Sequence, residues 1–209
     1  MAEQAVAICQ CCTIGAPKEI RFCDADGHHK YWFGDRELTS VSKVIRTVYP
    51  TDYSAVDPVV LETARVRGVA VDEYFSAYLT TGEVTVMPGE REDVLDRLDR
   101  LIDWWEKSGM VAREVQATVF HEGDGVAGTF DIGTEELIVD LKNVSALNQS
   151  YILQLGAYLT MDKQQFPLRS PAILHVTKDK VKLVPYEAKK CKQAWQSAVG
   201  WYRTMETLK

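Results

Sequence analysis

Residues 128–158 read GTFDIGTEELIVDLKNVSALNQSYILQLGAY, and the fold class follows from how this stretch divides. Two short runs rich in β-branched side chains, 126–132 (VAGTFDI) and 137–142 (LIVDLK), are joined by Gly133-Thr134-Glu135-Glu136, a link with turn chemistry. A third run, 112–121 (AREVQATVFH), precedes them across Glu122-Gly123-Asp124-Gly125. Three such runs with short links predict a three-stranded antiparallel meander. From Gln149 to about Met161 the apolar positions change to helical spacing, so a helix follows the meander.

The chain outside this stretch parses in the same way. Residues 19–23 (EIRFC) and 29–33 (HKYWF) flank Asp24-Ala25-Asp26-Gly27 and predict a β-hairpin. Ser40 opens a short helix that runs to about Tyr49 and stops at Pro50. From Asp57-Pro58 to about Leu79, Val60, Leu61, Ala64, Val71, Phe75 and Tyr78 recur at helical spacing, and Gly82 follows the end. A helix over about 91–107 carries Val94, Leu95, Leu98, Leu101, Ile102 and Trp105 on one stripe. Residues 171–177 and 181–185 read as a strand pair across Lys178-Asp179-Lys180, and 187–207 as a closing helix. With no repeat or linker, we expect an N-terminal arm over 1–18 and one domain over 19–209, its core at about 110–186. The class is α/β of the mixed α+β kind: a central mixed β-sheet that carries the meander and is flanked by helices.

The chemistry concentrates in the meander. Asp140 and Lys142 stand two apart on a strand and leave the same face, while Val139 and Leu141 point the other way. Asp131, nine residues before Asp140, comes close to it across the hairpin. Glu114 adds a third carboxylate if its strand pairs with the one that carries Asp131. Neighbouring carboxylates repel unless a cation lies between them, and hard oxygen donors with room for water suit Mg²⁺ or Mn²⁺ better than zinc. An ammonium beside such a site orients water and stabilises charge growing on a phosphate oxygen, the requirements of phosphodiester cleavage. Gln154 and Tyr158 are i, i+4 and share one helix face, with Tyr151 on a neighbouring track.

The order G-T-x-D, apolar strand, D-x-K, then Q-x-x-x-Y on a helix resembles the PD-(D/E)xK nuclease superfamily, in particular its RecB-like and phage-type exonuclease branch. The resemblance implies a restriction-endonuclease-like core. It implies a metal site of Asp131, Asp140 and the Leu141 backbone carbonyl, with Glu114 at its mouth, Lys142 assisting the water, and Gln154, Tyr158 and Tyr151 lining a DNA groove. Residues 29–45 (HKYWFGDRELTSVSKVI) resemble the family's N-terminal segment. Arg67-Gly68-Val69-Ala70-Val71-Asp72 resembles its R-G-x-x-x-H helix, with Asp72 where the histidine stands. Asp72 is either a further oxygen ligand or a solvated helix residue. The iron–sulfur branch has one cysteine before the core and three after it; this chain has four before and only Cys191 after, so no cluster is expected. The activity implied is an Mg²⁺- or Mn²⁺-dependent deoxyribonuclease of DNA recombination, repair or phage DNA metabolism, most simply an exonuclease on DNA ends or single strands. A structure-specific or nicking endonuclease, and a catalytically weakened DNA-binding or assembly subunit, are the alternatives. A helicase or single-strand annealing protein is the partner that the resemblance suggests, and a homo-oligomer is open.

Composition sets limits on these expectations. The 209 residues are 46% hydrophobic and 26% charged, which excludes a disordered or collagen-like chain. There is no uncharged apolar run near the length of a membrane span. Five cysteines without a secretion signal point to a reducing, cytoplasmic setting. Cys9, Cys11, Cys12 and Cys23, with His28 and His29 nearby, invite a zinc site. Their crowding does not give paired knuckles, and buried or unpaired thiols are expected. A net charge of −6 opposes a polyanion globally. DNA therefore needs a local basic track, offered by Lys163, Arg169, Lys178, Lys180, Lys182, Lys189, Lys190 and Lys192, with Tyr31, Trp32 and Tyr158 to stack on bases.

Overall fold

A computed structural model describes residues 20–23, 29–162 and 169–209. The expected N-terminal arm, Cys9, Cys11, Cys12, His28, Lys163 and the turn at 24–27 lie outside the described residues. In chain order the elements are β1 (Ile20–Cys23), β2 (Lys30–Phe33), β3 (Arg36–Ser40), α1 (Val41–Val48), α2 (Pro58–Thr81), α3 (Glu92–Ser108), β4 (Glu114–His121), β5 (Val126–Gly133), β6 (Leu137–Asn143), α4 (Tyr151–Met161), β7 (Ser170–Val176), β8 (Val181–Pro185) and α5 (Ala188–Thr207).

Local chemistry fixes the helix ends. Ser40 caps α1, its Oγ accepting the Lys43 N–H at 3.1 Å. Asp57 caps α2 with Pro58 in the first turn, and Gly82 closes that helix in the left-handed region at φ +78°.

The strands form one eight-stranded mixed sheet in the order β1-β2-β3-β5-β6-β7-β8, with β4 also paired to β5. β3/β5 and β6/β7 are parallel and the other pairs antiparallel. The expected meander is β4-β5-β6. β3 was not expected: Arg36 and Glu37 are exposed and its only fully buried side chain is Leu38, so it has no apolar run to announce it.

Helices cover both faces, five of them among the described residues. Val44, Leu155 and Trp195 from α1, α4 and α5 pack with Phe130, Ile138 and Ile173. Val71, Phe75 and Leu98 from α2 and α3 pack with Val139, Ala172 and Leu174 on the other side. A sheet buried on both faces reads as near-continuous apolar runs, as β6 and β7 do. This mixed α/β arrangement is that of a restriction-endonuclease-like core. No helix among the described residues is long and apolar enough to cross a membrane.

The apolar track expected along α2 is buried only at Val71 and Phe75; Val60 is 60% and Leu61 37% exposed. The cause is the length of its neighbour. α3 begins beside Arg67, whose Nη1 meets Asp93 Oδ2 at 3.2 Å, so the turns of α2 before Arg67 project beyond it.

Candidate active site

β5 makes three strand contacts with two edges. β4 runs along its whole length, from Glu114↔Gly133 to His121↔Val126. The other edge is shared: β3 pairs at Val126 and Ala127, and β6 at Ile132 and Gly133. Residues 128–131, the G-T-F-D segment, lie between these two partners, and the sheet is split there.

A cavity of about 390 Å³ opens over this split. Gly128, Thr129 and Asp131 line it from β5, Asp140 and Lys142 from β6, Asp72 from α2, and Gln154 and Tyr158 from α4. Gly128 is required by packing: a Cβ there would lie 2.9 Å from Val41 Cγ2 and 3.0 Å from Tyr158 Cε1. The side-chain alternation of β5 also breaks here. Phe130 packs in the α4–α5 layer and Ile132 in the α2–α3 layer, although a regular strand would send both to one side. Gln116, between Val115↔Ile132 and Ala117↔Phe130 in the ladder and therefore level with Asp131, has φ +50°. A non-glycine residue in that region is strained, and it marks the switch of faces.

The β5/β6 ladder ends at Ile132↔Val139, one step before Asp131 and Asp140. The Leu141 N–H donates to Asp131 Oδ2 at 2.6 Å. Asp140 is fully buried, and neither of its oxygens has an aligned hydrogen-bond donor. Its compensating charge is Lys142 Nζ, 2.5 Å from Oδ2. Burial, then the charges of Asp140 and Asp72, pushes the Asp131 carboxyl well above the ordinary carboxylate range. Burial also raises Asp140, with Lys142 opposing. Burial works against the Lys142 ammonium, but Asp140 and Asp131 outweigh it and raise its pKa. The ammonium also lies 5.2 Å from the Tyr151 ring centroid.

Asp72 faces this group from α2. Its carboxyl is pushed up to about 6, first by burial and then by Asp140. Gln116 Nε2 donates to Asp72 Oδ2 and to Ser76 Oγ, each at 3.1 Å. Gln116 is the site residue that sequence reasoning missed. Counting the ladder across the 122–125 turn places it level with Asp131, whereas chemistry alone favoured the acid two residues earlier.

That acid, Glu114, is not at this site. It pairs with Gly133 beyond Asp131, accepts from Arg169 Nη1 at 2.6 Å, and lines a separate cavity with Met161 and Asp162. Tyr158 and Gln154 do meet at the cavity, Gln154 Nε2 donating to the Tyr158 hydroxyl at 2.8 Å. Tyr158 is 3% exposed, however, and Tyr31 2%, its hydroxyl 3.1 Å from Thr129 Oγ1. Neither ring is open to stack on a base. Burial, then Asp140 and Asp131, raises the Tyr158 hydroxyl well above its usual value, so it keeps its proton at neutral pH.

The donor set fits a hard divalent cation. Asp140 is a buried carboxylate with Lys142 Nζ at Oδ2 and no partner at Oδ1, and Asp131 beside it is destabilised first by burial and then by like charge. Among the described residues no group of three or more His, Cys, Asp or Glu side chains is placed to hold a metal ion. Mg²⁺ needs no such group, since it keeps several waters and is held by one or two carboxylates together with substrate phosphates.

No family model matches the chain, and no curated protein matches it. Among solved structures, the crystal structure of a protein from Eubacterium rectale named "putative exonuclease" superposes with a TM-score of 0.54 at 17% sequence identity, over 78% of this chain and 77% of that one. At that identity the likeness is one of fold.

Proposed function

We propose that the protein is a metal-dependent deoxyribonuclease of the PD-(D/E)xK type that hydrolyses phosphodiester bonds, as an exonuclease acting on DNA ends or single strands. The observation that carries this reading is the buried Asp140 carboxylate, its Oδ1 unpartnered and its Oδ2 2.5 Å from Lys142 Nζ, with Asp131 beside it, over a split in the sheet. The fold likeness to a protein named as an exonuclease supports it.

Asp131, Asp140 and the Leu141 carbonyl would hold Mg²⁺ or Mn²⁺, with Asp72 facing them from α2; the ion would supply charge neutralisation and Lewis acidity toward a phosphate oxygen. Lys142 has a raised pKa and stays protonated at neutral pH, so it acts as a donor that orients water and stabilises negative charge, not as a base. Gln154 and the protonated Tyr158 hydroxyl offer neutral polar contacts at the cavity wall.

Incubation with linear and closed circular DNA in Mg²⁺ or Mn²⁺ tests the reading. Linear DNA is degraded and circles persist, while Asp140→Ala and Lys142→Ala each lose at least about 100-fold in rate. Cutting of closed circles selects an endonuclease, and undiminished cleavage by both variants rejects the site.

A further inference from the structure

The active-site cavity continues into a larger one of about 790 Å³ beyond α2. Ala64, Arg65, Asn143 and Val144 line both, so the two form one groove. The outer part has an apolar wall built from the projecting turns of α2, with Val60 60% and Leu61 37% exposed, and Tyr53, 52% exposed, beside them. Basic groups line the same groove, Arg65 and Arg67 from α2, Arg97 from α3 and Lys178 from the β7–β8 turn, with Asp179 the one acid among the lining residues.

These cations are only partly paired: Arg65 is held by Glu62 at 2.6 and 2.8 Å on the exposed surface, and Arg67 Nη1 meets Asp93, but other donors of the group have no acceptor. Arg97 is nine-tenths buried and donates to Asn143 Oδ1 at 2.8 Å. That contact fixes the amide orientation, so Asn143 Nδ2 is a donor, and it is buried with no acceptor. Arg67 Nε and Arg100 Nε are buried without acceptors as well. Burial, then Arg67, lowers the Arg97 pKa, with Arg100 adding to the effect and Asp93 and Asp179 opposing it. Apolar and aromatic side chains alongside an excess of basic ones match one unpaired nucleic-acid strand, whose bases need flat apolar contact and whose phosphates need donors. A duplex conceals its base faces and has no use for such a wall.

We propose that this groove is a nucleotide subsite that holds the unpaired strand next to the scissile phosphate, with Tyr53, Val60 and Leu61 against the bases and Arg65, Arg67 and Lys178 toward the phosphates. The proposal rests on the nuclease reading for the direction of the strand, but its binding test stands apart from cleavage. Tyr53, Arg65 and Lys178 are exposed, so their alanine variants leave the core intact.

Binding of a fluorescein-labelled ten-residue oligothymidylate is followed by anisotropy in EDTA, where no cleavage occurs. Tyr53→Ala, Arg65→Ala and Lys178→Ala each bind at least about fivefold more weakly than wild type. The two charge variants also reduce the salt slope by about one unit. Hydrolysis of thymidine 5′-p-nitrophenyl phosphate, too short to occupy the groove, stays within about twofold of wild type in Tyr53→Ala and Lys178→Ala, whose residues line only the outer part. Equal affinity across the proteins, or no binding by wild type, overturns the groove even if the protein degrades DNA. Equal loss of the small substrate in those two variants overturns it too, by locating the defect in the active site. Weaker binding by the variants, with no cleavage of any substrate by wild type, supports the groove and rejects the nuclease.

Discussion

Asp131 and Asp140 each lose hydration on folding and then face each other, with the single ammonium of Lys142 beside them. Whether Asp131 ionises against its surroundings or takes up a proton, the metal-free protein loses free energy relative to the unfolded chain at neutral pH. Asp131→Asn keeps an oxygen for the Leu141 N–H and removes the charge. We expect it to raise the melting temperature of the metal-free protein at pH 7.5, by roughly 2–4 °C for each kcal/mol of relieved repulsion, while abolishing cleavage. A lower melting temperature would count against the buried acid pair. Gln116 offers a second test at this scale, because at φ +50° a β-carbon is strained and glycine is not. Gln116→Gly and Gln116→Ala both release Asp72, yet Gly should be the more stable by about 1 kcal/mol in urea unfolding. Ordinary strand geometry there gives the reverse order, since glycine weakens a regular strand.

The position of α4 decides whether its Gln154 and Tyr158 reach the cavity, and two glycines set that position. Gly128 admits the Tyr158 ring edge and Val41, and a Cβ on Gly156 would fall 2.0 Å from the Cys191 carbonyl oxygen of α5. Gly128→Ala should therefore displace α1 or α4, cost about 1–3 kcal/mol as overpacking does, and lower activity beyond what the loss of folded protein explains. Equilibrium unfolding set beside the specific activity of the folded fraction measures both. The sequence makes local features of these elements legible: caps at Ser40 and Asp57, the glycine at Gly82, and the D-x-K pair, whose spacing of two fixes a common strand face. Features set by distant neighbours are not legible. β3 pairs with β5 across 87 positions of sequence, Thr39 to Val126, and owes its place to that contact. The exposure of Val60 and Leu61 depends on where α3 begins, which the periodicity of α2 does not encode. Glu114 and Gln116 differ only in ladder level, so acid chemistry picked the first and geometry picks the second.

For the whole molecule these local terms add up to a pH dependence. Asp72, Asp131 and Asp140 have raised pKa values in the folded state, so the fold binds more protons than the unfolded chain above about pH 4. A raised acid contributes stability that is present below the unfolded pKa and lost as pH rises through the folded one. For Asp72, raised from 3.8 to about 6, the loss is about 3 kcal/mol once pH exceeds that value. The groups around it act in known directions: Glu73 adds to the repulsion, Gln116 and Lys142 oppose it, and Lys142, itself raised, stays charged throughout this window. Lowered acids on the surface, such as Asp93 and Glu206, lose their contribution only at more acid pH. The melting temperature of the metal-free protein should therefore peak near pH 5 and fall by several degrees toward pH 8. If the site takes the divalent ion proposed for it, millimolar Mg²⁺ or Mn²⁺ should bind the ionised carboxylates and restore most of that loss at pH 8 while changing little at pH 5. Asp131→Asn should flatten the metal-free profile and weaken the response to metal. A wild-type profile that is flat between pH 5 and 8, or one on which divalent metal acts equally at both ends, would show that these carboxylates do not titrate together.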